Sequence, residues 1–391
     1  MYTSPGLYFG NPPSWVLKGA AVDMDFANSR YWGGSIDSLL STVRASDKYV
    51  RQSSGLYLNI GSGFPGISDL GLLIEQAATN NALYARDWTQ AGSWTATDVT
   101  TALNAVGIEG QVNSATTLTA TGANGTVLQA ITLASAAYTF SVFIKRVSGS
   151  GNIDITIDGG STWNTVAGLS STAFTRYSFE ATQLNPSIGV RIVTSGDVVI
   201  VDFAQLEVQI GTAVGTSGFA SSPIYSTNSA ATRAADSIAY VGRLRTLWNN
   251  PATGCGSAFA DTSGVPSGQV SSYIVEVQAT NHILMDGTTT TTVRAVANNV
   301  ALTATLGSGT LTSRIKRMCA WDSSGKSVVG NAGAIATGTA AFTSTTSTPL
   351  IGATGSSLVA TGNWYNGFIA RLAAWNYRVE DNVLQRMTGL T

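Results

Sequence analysis

The sequence is short of histidine, cysteine and charge, and each shortage excludes a class of function. The chain of 391 residues has one histidine, His282, which leaves almost no material for a Ser-His-Asp or Cys-His catalytic site or a multi-histidine metal centre. Its two cysteines, Cys255 and Cys319, lie far apart and outside any CxxC pattern, so they are two buried thiols or one long-range disulfide. Cytosolic synthesis favours the thiols.

Charged residues make up only 11% of the chain, and the two signs balance. Lys and Arg number 21 against 22 Asp and Glu, so we expect no nucleic-acid partner. The densest basic cluster, Arg314, Lys316 and Arg317, is interpreted as the solvated side of a strand. No apolar run is long enough to cross a bilayer and the N-terminus lacks a signal-peptide pattern, so we expect neither membrane insertion nor Sec export.

The chain is poor in strong helix formers and contains 42 glycines, a composition that favours strands and turns. A period of two indicates where the strands lie. Tyr138, Phe140 and Val142 fall on one face of such a run, while Thr139 and Ser141 fall on the other. Turns rich in Gly and Asn follow these runs, as is typical of hairpins. The sequence therefore predicts an all-β fold of antiparallel β-sandwiches.

Length and composition predict two β domains joined by a linker and preceded by an arm. The arm carries aromatic residues without a sustained period, and we interpret Trp15, Tyr31 and Trp32 as assembly contacts with another surface. A GxGxxG match at 61–66 is rejected as a dinucleotide site because no helix follows it. The predicted division is an irregular arm over 1–70, a β-sandwich over 71–225, a linker over 226–236, and a jelly roll over 237–391 that ends in a short helix.

Catalytic and metal-binding groups are not evident, so we expect no enzyme activity, metal or cofactor. The acids Asp154, Asp158 and Asp202 lie on predicted strands or turns and are interpreted as solvated polar-face residues. Paired carboxylates could still hydrolyse a glycosidic bond, but the acidic alternation expected of a jelly-roll glycosidase is missing from the second domain.

Aromatic residues in two loops are the better functional candidates. Sugars bind to β-sandwiches by stacking on flat aromatic faces, while amides and carboxylates bond their hydroxyls. The candidates are Trp163 with Asn164 in the first sandwich, and Trp364, Tyr365 and Asn366 before the last strand. The competing interpretation is that these tryptophans cap the ends of the sandwiches or fill a subunit interface.

Several segments in the first three fifths of the chain, in this order, resemble a known family. The segment GLLIEQAATN at 71–80, followed by YARDWT at 84–89, is similar to the start of the sandwich in tailed-bacteriophage particle proteins. Those proteins include tail fibres, head spikes and proteins like carbohydrate-binding modules. Upstream, VDMDFA at 22–27 and VRAS at 43–46 resemble N-terminal elements of the same family, and VDFAQLE at 201–207 resembles its closing strand.

The C-terminal region resembles a second family. The segment NGFIARLAAW at 366–375 and the short helix ending in Leu390 and Thr391 are similar to the last strand and helix of concanavalin A-like jelly rolls. The resemblance implies a laminin-G-like or lectin-like domain over 237–391, and it implies no reaction.

Together the resemblances imply a non-enzymatic virion structural protein, such as a fibre, spike or decoration subunit. It would be made in the bacterial cytoplasm, displayed on the virion surface, and bound to other virion proteins as a homo-oligomer, with a trimer as one option. The favoured activity is adhesion to host surface polysaccharide. One alternative is a purely architectural head or tail decoration protein without glycan binding, and a more distant alternative is a polysaccharide depolymerase.

Overall fold

The structure is a computed structural model in which strands account for 49% and helices for 6% of the chain. It describes residues 11–209, 220–242, 255–263, 273–278, 281–286, 291–297, 300–309, 313–339, 350–356, 359–362 and 364–389. The predicted all-β fold is confirmed. The described chain forms two compact units, which we name the sandwich unit (Ser46–Gly61 and Ala77–Ala234) and the three-segment unit (Met1–Ala45, Ser62–Gln76 and Ala235–Thr391).

The sandwich unit contains two five-stranded antiparallel sheets. The back sheet has the spatial order Val99–Ala105, Ala115–Ala120, Val198–Val208, Ala136–Ser148, Thr175–Gln183. The front sheet has the order Asn164–Thr165, Ile153–Thr156, Ser187–Ile192, Gly125–Ala130, Thr95–Thr97. The alternation seen in the sequence sends Phe140, Val142 and Ile144 into the core, where they meet Ile155 and Val190 of the front sheet.

Two short pairs of strands complete the sandwich unit. Lys48–Arg51 pairs with Tyr57–Ile60, and Ala78–Asn80 pairs with Ala231–Arg233. The strand Ala231–Arg233 lies within the predicted linker, 226–236, and in the same segment Ser226 is buried and its hydroxyl donates to the Ala82 carbonyl. Small polar residues here satisfy buried backbone groups, and composition alone did not distinguish that role from a solvated linker.

The three-segment unit is built on two larger sheets. The nine-stranded sheet runs Arg30–Trp32, Val22–Asp25, Gly367–Trp375, Gly256–Thr262, Ile315–Asp322, Gly325–Gly330, Ala336–Gly338. In addition, Gly71–Ile74 pairs with Gly367–Trp375, and Ile67–Ser68 pairs with Gly71–Ile74. The seven-stranded sheet runs Val300–Thr305, Thr292–Ala297, Asn281–Asp286, Tyr273–Gln278, Leu350–Ile351, Ser237–Tyr240, Leu40–Val43. Thr354–Ser356 pairs with Val359–Gly362.

The region predicted as an arm has more regular structure than its sequence indicated. The strand Val22–Asp25 pairs with Gly367–Trp375, and the Asp23 carboxylate accepts hydrogen bonds of 2.8 and 2.6 Å from Arg371. A strand of four residues is too short to show a period, and the partner strand here is distant, with Asp23 and Arg371 348 residues apart. Their pairing was therefore not readable from local sequence.

Helices are few among the described residues. Phe26–Asn28 is a 3-10 turn, Ile36–Leu39 is a single helical turn, and Asp381–Gly389 is the predicted C-terminal helix. The last helix buries Leu384 and Met387, which lie three residues apart on one face. None of the helices in the described ranges is long and apolar enough to cross a membrane.

Candidate functional site

A row of polar side chains crosses the outer face of the front sheet from one edge strand to the other. Its members lie directly opposite one another on the five strands, in the order Thr165, Asp154, Arg191, Thr126, Thr97. Neighbouring strands lie about 4.8 Å apart, so the row is about 19 Å long. It lies on the outer face because the residues before and after Asp154, Ile153 and Ile155, belong to the core.

At the centre of this row an ion pair fixes Arg191. The guanidinium Nε and Nη2 atoms donate to Asp154 Oδ2 at 2.9 and 2.7 Å, while Thr165 Oγ1 donates to Asp154 Oδ1 at 2.7 Å. Both carboxylate oxygens are therefore engaged. The Asp154 side chain is only 2% exposed, whereas 27% of the Arg191 side chain remains exposed to solvent. The pair is thus anchored at its acidic end and open at its basic end.

Trp163 packs on this pair. The Arg191 Cζ atom lies 4.6 Å from the centroid of the indole ring, a cation–π arrangement, and the ring is only partly buried. We name Trp163, Arg191, Asp154, Thr165, Thr126 and Thr97 the Trp163 surface.

The turn before Trp163 requires glycine at two positions. Gly159 and Gly160 have φ values of 73° and 93°, and a Cβ atom at Gly160 would lie 2.7 Å from the indole Cζ2. Asp158 holds the turn by accepting hydrogen bonds from Thr156 Oγ1 and the Thr162 amide at 2.8 and 2.9 Å. Burial acts to raise the pKa of Asp158, but these hydrogen bonds outweigh it and hold the pKa below its ordinary value.

Asn164 is not part of the Trp163 surface. It pairs with Ile155, whose side chain enters the core, whereas Thr165 pairs with Asp154 on the outer face. Since successive side chains of a strand alternate, Asn164 points to the opposite side of the sheet from Trp163 and Thr165. The structure thus separates two residues that adjacency in the sequence had suggested as one site.

The second group of glycan candidates lies in a buried segment of the three-segment unit. Trp364 Nε1 donates to the Asp236 carbonyl at 3.0 Å, and its ring packs against the core. Tyr365 is fully buried and its hydroxyl donates to the Ser263 carbonyl. Asn366 is buried, and its Oδ1 accepts a 2.9 Å hydrogen bond from the Gln76 amide. The segment is a loop before the last strand, as expected, but its residues are buried or partly buried, which favours the competing interpretation, that they close the end of a β domain.

The aromatic residues of the predicted arm are also partly buried. Tyr31 packs edge-on against Phe26 with ring centroids 6.2 Å apart, and Trp15 and Trp32 pack against a small apolar cluster around Trp375. All three aromatic side chains therefore have packing partners within the chain. Their predicted role in assembly stays a prediction.

A second polar cluster, on the back sheet, was missed by sequence reasoning. Asp202 is fully buried, not solvated as predicted, and accepts hydrogen bonds from Arg86 Nε at 2.9 Å and the Ile108 amide at 2.8 Å. Burial raises the pKa of Asp202 to about 6, against the attraction of Arg86. Arg86 also donates to Glu109. The only sign of this cluster in the sequence was the isolated charge of Asp202 in the otherwise apolar segment 198–204.

The Asp202 cluster rests on a strained backbone position. Phe203 has a φ of 45°, an unusual value for a residue with a bulky side chain, and it lies where the register of the back sheet shifts. A Cβ atom at Gly107 would lie 2.2 Å from Arg86 Nη2, so only glycine fits beside the ion pair. Because Asp202 is closed off from solvent, its carboxylate is not accessible to a large external substrate.

Metal ligands and reactive thiols are not assembled in the described part of the chain. No group of three or more His, Cys, Asp or Glu is placed to hold a metal ion within the described ranges. Both cysteines are free, and burial raises the pKa of the Cys319 thiol to about 12. The side chains of His282 and Asp286 lie outside the described residues. Arg317, predicted to be solvated, is instead buried and donates to Thr262 Oγ1 at 2.9 Å.

No family model matches the chain, and no curated protein matches it. Among solved structures, the chain is similar to the CBM22-1 xylan-binding domain of Paenibacillus barcinonensis Xyn10C, at 14% identity and a TM-score of 0.26 over 34% of this chain and 96% of that one. It is similar to mouse laminin alpha1 domains LG4-5, at 9% identity and a TM-score of 0.23 over 81% and 91%.

A third similar structure is the enzymatically active domain of bacteriophage CBA120 tailspike protein 4, at 13% identity and a TM-score of 0.24. The match covers 32% of this chain and 21% of that one. All three TM-scores lie below 0.5, so these likenesses carry no argument about function.

Proposed function

We propose that the protein is a non-enzymatic surface component of a bacteriophage particle that adheres to host glycans through the Trp163 surface. The observation that carries the binding role is the partly exposed indole of Trp163, which is held over Arg191 beside a polar row about 19 Å long. An aromatic face next to hydrogen-bonding groups is the combination that pyranose rings require. The virion placement is supported by the resemblance of segments 71–80 and 201–207.

The chemistry of the Trp163 surface favours a neutral glycan. Asp154 neutralises Arg191, and the remaining members of the row, Thr165, Thr126 and Thr97, are uncharged hydroxyls. Hydroxyls donate and accept, as sugar hydroxyls do, so they match a polyol without requiring a charged group on the ligand. The length of the row suits an oligosaccharide better than a single sugar.

The test is binding of the recombinant chain to a glycan array and to host cells, with Trp163→Ala compared with the parent. Loss of a stacked aromatic costs about 1 kcal/mol or more, so affinity should fall roughly fivefold or further. Tyr225→Ala is the matched control, because Tyr225 is an exposed aromatic of the same unit that packs near Phe203 and not on the Trp163 surface. Equal loss of binding in both variants would remove the site assignment.

The architectural alternative predicts a different result. If the folded chain binds no host lipopolysaccharide or capsule, and Trp163→Ala changes nothing but particle stability, the adhesive role is lost. The buried Trp364 segment favours this alternative for the three-segment unit. Labelling of purified phage particles with an antibody against the recombinant chain tests the virion placement separately.

The depolymerase alternative is tested by incubating the chain with the polysaccharides that it binds. We expect no new reducing ends, because Asp154 is engaged by Arg191 and Asp202 is buried against Arg86. Release of oligosaccharides would overturn the non-enzymatic assignment.

A further inference from the structure

One edge of the back sheet ends without a partner strand among the described residues. Val99–Ala105 is the outermost strand, and Ala115–Ala120 is its neighbour in the sheet. Such an edge presents backbone N–H and C=O groups that can pair with a further strand, and folded proteins protect edges with charges, proline or bulges. Val99–Ala105 has neither a charged residue nor a proline, and its bulge follows Leu103. Five residues, 99–103, therefore remain regular.

Apolar side chains are left uncovered at this edge. Leu103 lies on the core-facing side of the sheet, opposite the buried Thr116, yet it is 36% exposed, and none of the strands in the described ranges pairs with this edge. In the loop that follows, Val106 and Val112 are 45% and 71% exposed. Scattered exposed apolar residues are ordinary, but three beside one unprotected strand edge form a patch that another surface would cover.

The opposite edge of the same sheet differs. Its outermost strand, Thr175–Gln183, carries Arg176 and Glu180, and its core-facing rings, Tyr177 and Phe179, are already partly buried. Charges on an edge strand are a standard protection against pairing. Of the two edge strands described for this sheet, Val99–Ala105 is thus the one without charged residues and with an exposed apolar side chain on its core-facing side.

We propose that Val99–Leu103 pairs with the same strand of a second copy of this chain, antiparallel about a two-fold axis at Thr101. This register places Val99 opposite Leu103 of the second copy and Thr101 opposite its own equivalent, so apolar residues meet on the core-facing side. Cross-strand apolar pairs of this kind stabilise a sheet. The nearest charge, Asp98, faces Asn104 of the second copy and not another carboxylate. The result is one continuous sheet of ten strands, an isologous contact.

The second copy fits this edge because the segment is complementary to itself. A strand carrying one charge near its centre would oppose that charge across the axis, whereas Val-Thr-Thr-Ala-Leu offers none. The pairing does not use Trp163, Arg191 or Asp154, which lie on the outer face of the other sheet, away from its Thr97 edge. Glycan binding and self-association can therefore fail independently.

The first test is cross-linking of Thr101→Cys with a short bismaleimide. Opposed side chains in such a pair have Cβ atoms about 5 Å apart, so the variant should give a covalent dimer. Ser178→Cys, at the middle of the opposite edge strand, is the matched control and should not cross-link. The parent chain, with Cys255 and Cys319, sets the background. Dimer from Ser178→Cys and none from Thr101→Cys would place the contact at the wrong edge and overturn the proposal.

The second test is sedimentation velocity over a range of concentrations. The parent should form a dimer, and Thr101→Lys should weaken association roughly tenfold or more, because two ammonium groups then face each other at the axis. Ser178→Lys should leave association unchanged. If Thr101→Lys does not fold by circular dichroism, the cross-linking result decides alone, since cysteine is close to threonine in size. A parent chain that stays monomeric at every concentration, together with no cross-link from Thr101→Cys, would overturn the proposal.

Discussion

Trp163 and Trp364 are both partly buried, yet the ion pair beside one is partly exposed and the ion pair beside the other is enclosed. Each lies beside an ion pair of arginine and aspartate: Arg191 with Asp154 for Trp163, and Arg44 with Asp236 for Trp364. The exposed fractions of the two side chains are 27% and 2% in the first pair and zero for both in the second. An accessible ion pair can contact a ligand, whereas an enclosed ion pair contributes only to the stability of the fold. Removing members of each pair should therefore separate binding from stability.

The largest expected effect is at the enclosed pair. Asp236 accepts a 3.0 Å bond from Arg44 Nη1 and a 2.8 Å bond from the Glu75 amide. Asp236→Ala removes the carboxylate that Arg44 and the Glu75 amide bond inside the fold, and breaking a buried ion pair from one side costs about 3–5 kcal/mol. Denaturant unfolding should show the loss in the transition of the three-segment unit. Asp37→Ala, at an exposed acid of the same unit, is the control and should change stability by about 1 kcal/mol or less.

A small effect of Asp236→Ala would contradict the contrast between the two pairs. It would mean that Arg44 reaches solvent when its partner is removed, as Arg191 is expected to do. Binding to any glycan recognised by the parent should be unchanged in folded Asp236→Ala protein, since the Trp163 surface belongs to the other unit.

Asp202 extends the comparison to a fully buried acid of the sandwich unit, whose contribution to stability can be measured through its pH dependence. Its pKa in the folded chain is raised to about 6, so folding takes up a proton. The favourable contribution of that proton is complete below about pH 4 and is lost as the pH rises through about 6. Relative to Asp202→Asn, which does not titrate, the parent should lose up to about 3 kcal/mol between pH 4 and 7. Urea unfolding of both proteins across that range measures the difference.

A difference between parent and Asp202→Asn that stays constant with pH would show that Arg86 keeps Asp202 ionised throughout. The enclosed pairs would then have to be compared by mutation alone. Because both proteins share every other titrating group, their common pH dependence cancels.

The same contrast shows what could be read from sequence. The strands around Phe140 and Ile155 were predictable because their period of two is sustained within one segment. The ion pairs of the molecule were not, since Arg44 and Asp236 are 192 residues apart and an isolated acid has the same appearance in sequence whether solvated or paired. The surroundings of Trp364 are set by residues distant in sequence, such as Asp236, whereas the position of Trp163 is set by a local glycine turn that the sequence does show.

The tryptophans themselves should give the next largest contrast. Trp364→Ala removes a ring packed against the core together with its hydrogen bond to Asp236, and we expect a loss of about 2–3 kcal/mol. Trp163→Ala removes a partly exposed ring and one cation–π contact, and we expect about 1 kcal/mol. Thermal unfolding of the two variants measures both. Equal losses would show that Trp163 is as much a packing residue as Trp364, and would weaken its assignment as a sugar platform.

The smallest expected effect tests how Trp163 is held. Arg191→Lys keeps the charge but loses the planar group that stacks under the indole, so stability should fall by only about 0.5–1 kcal/mol. Glycan affinity should nevertheless fall about two- to fivefold, because the ring is no longer held in one orientation and binding must then order it. Arg146→Lys is the matched control, since Arg146 pairs with Asp197 in the same unit and no contact of its guanidinium with an aromatic ring is seen among the described residues. It should lower stability by a similar amount and leave binding intact. Should Arg191→Lys bind as the parent does, Arg191 contributes to the sheet alone and the Trp163 surface reduces to its ring and hydroxyls.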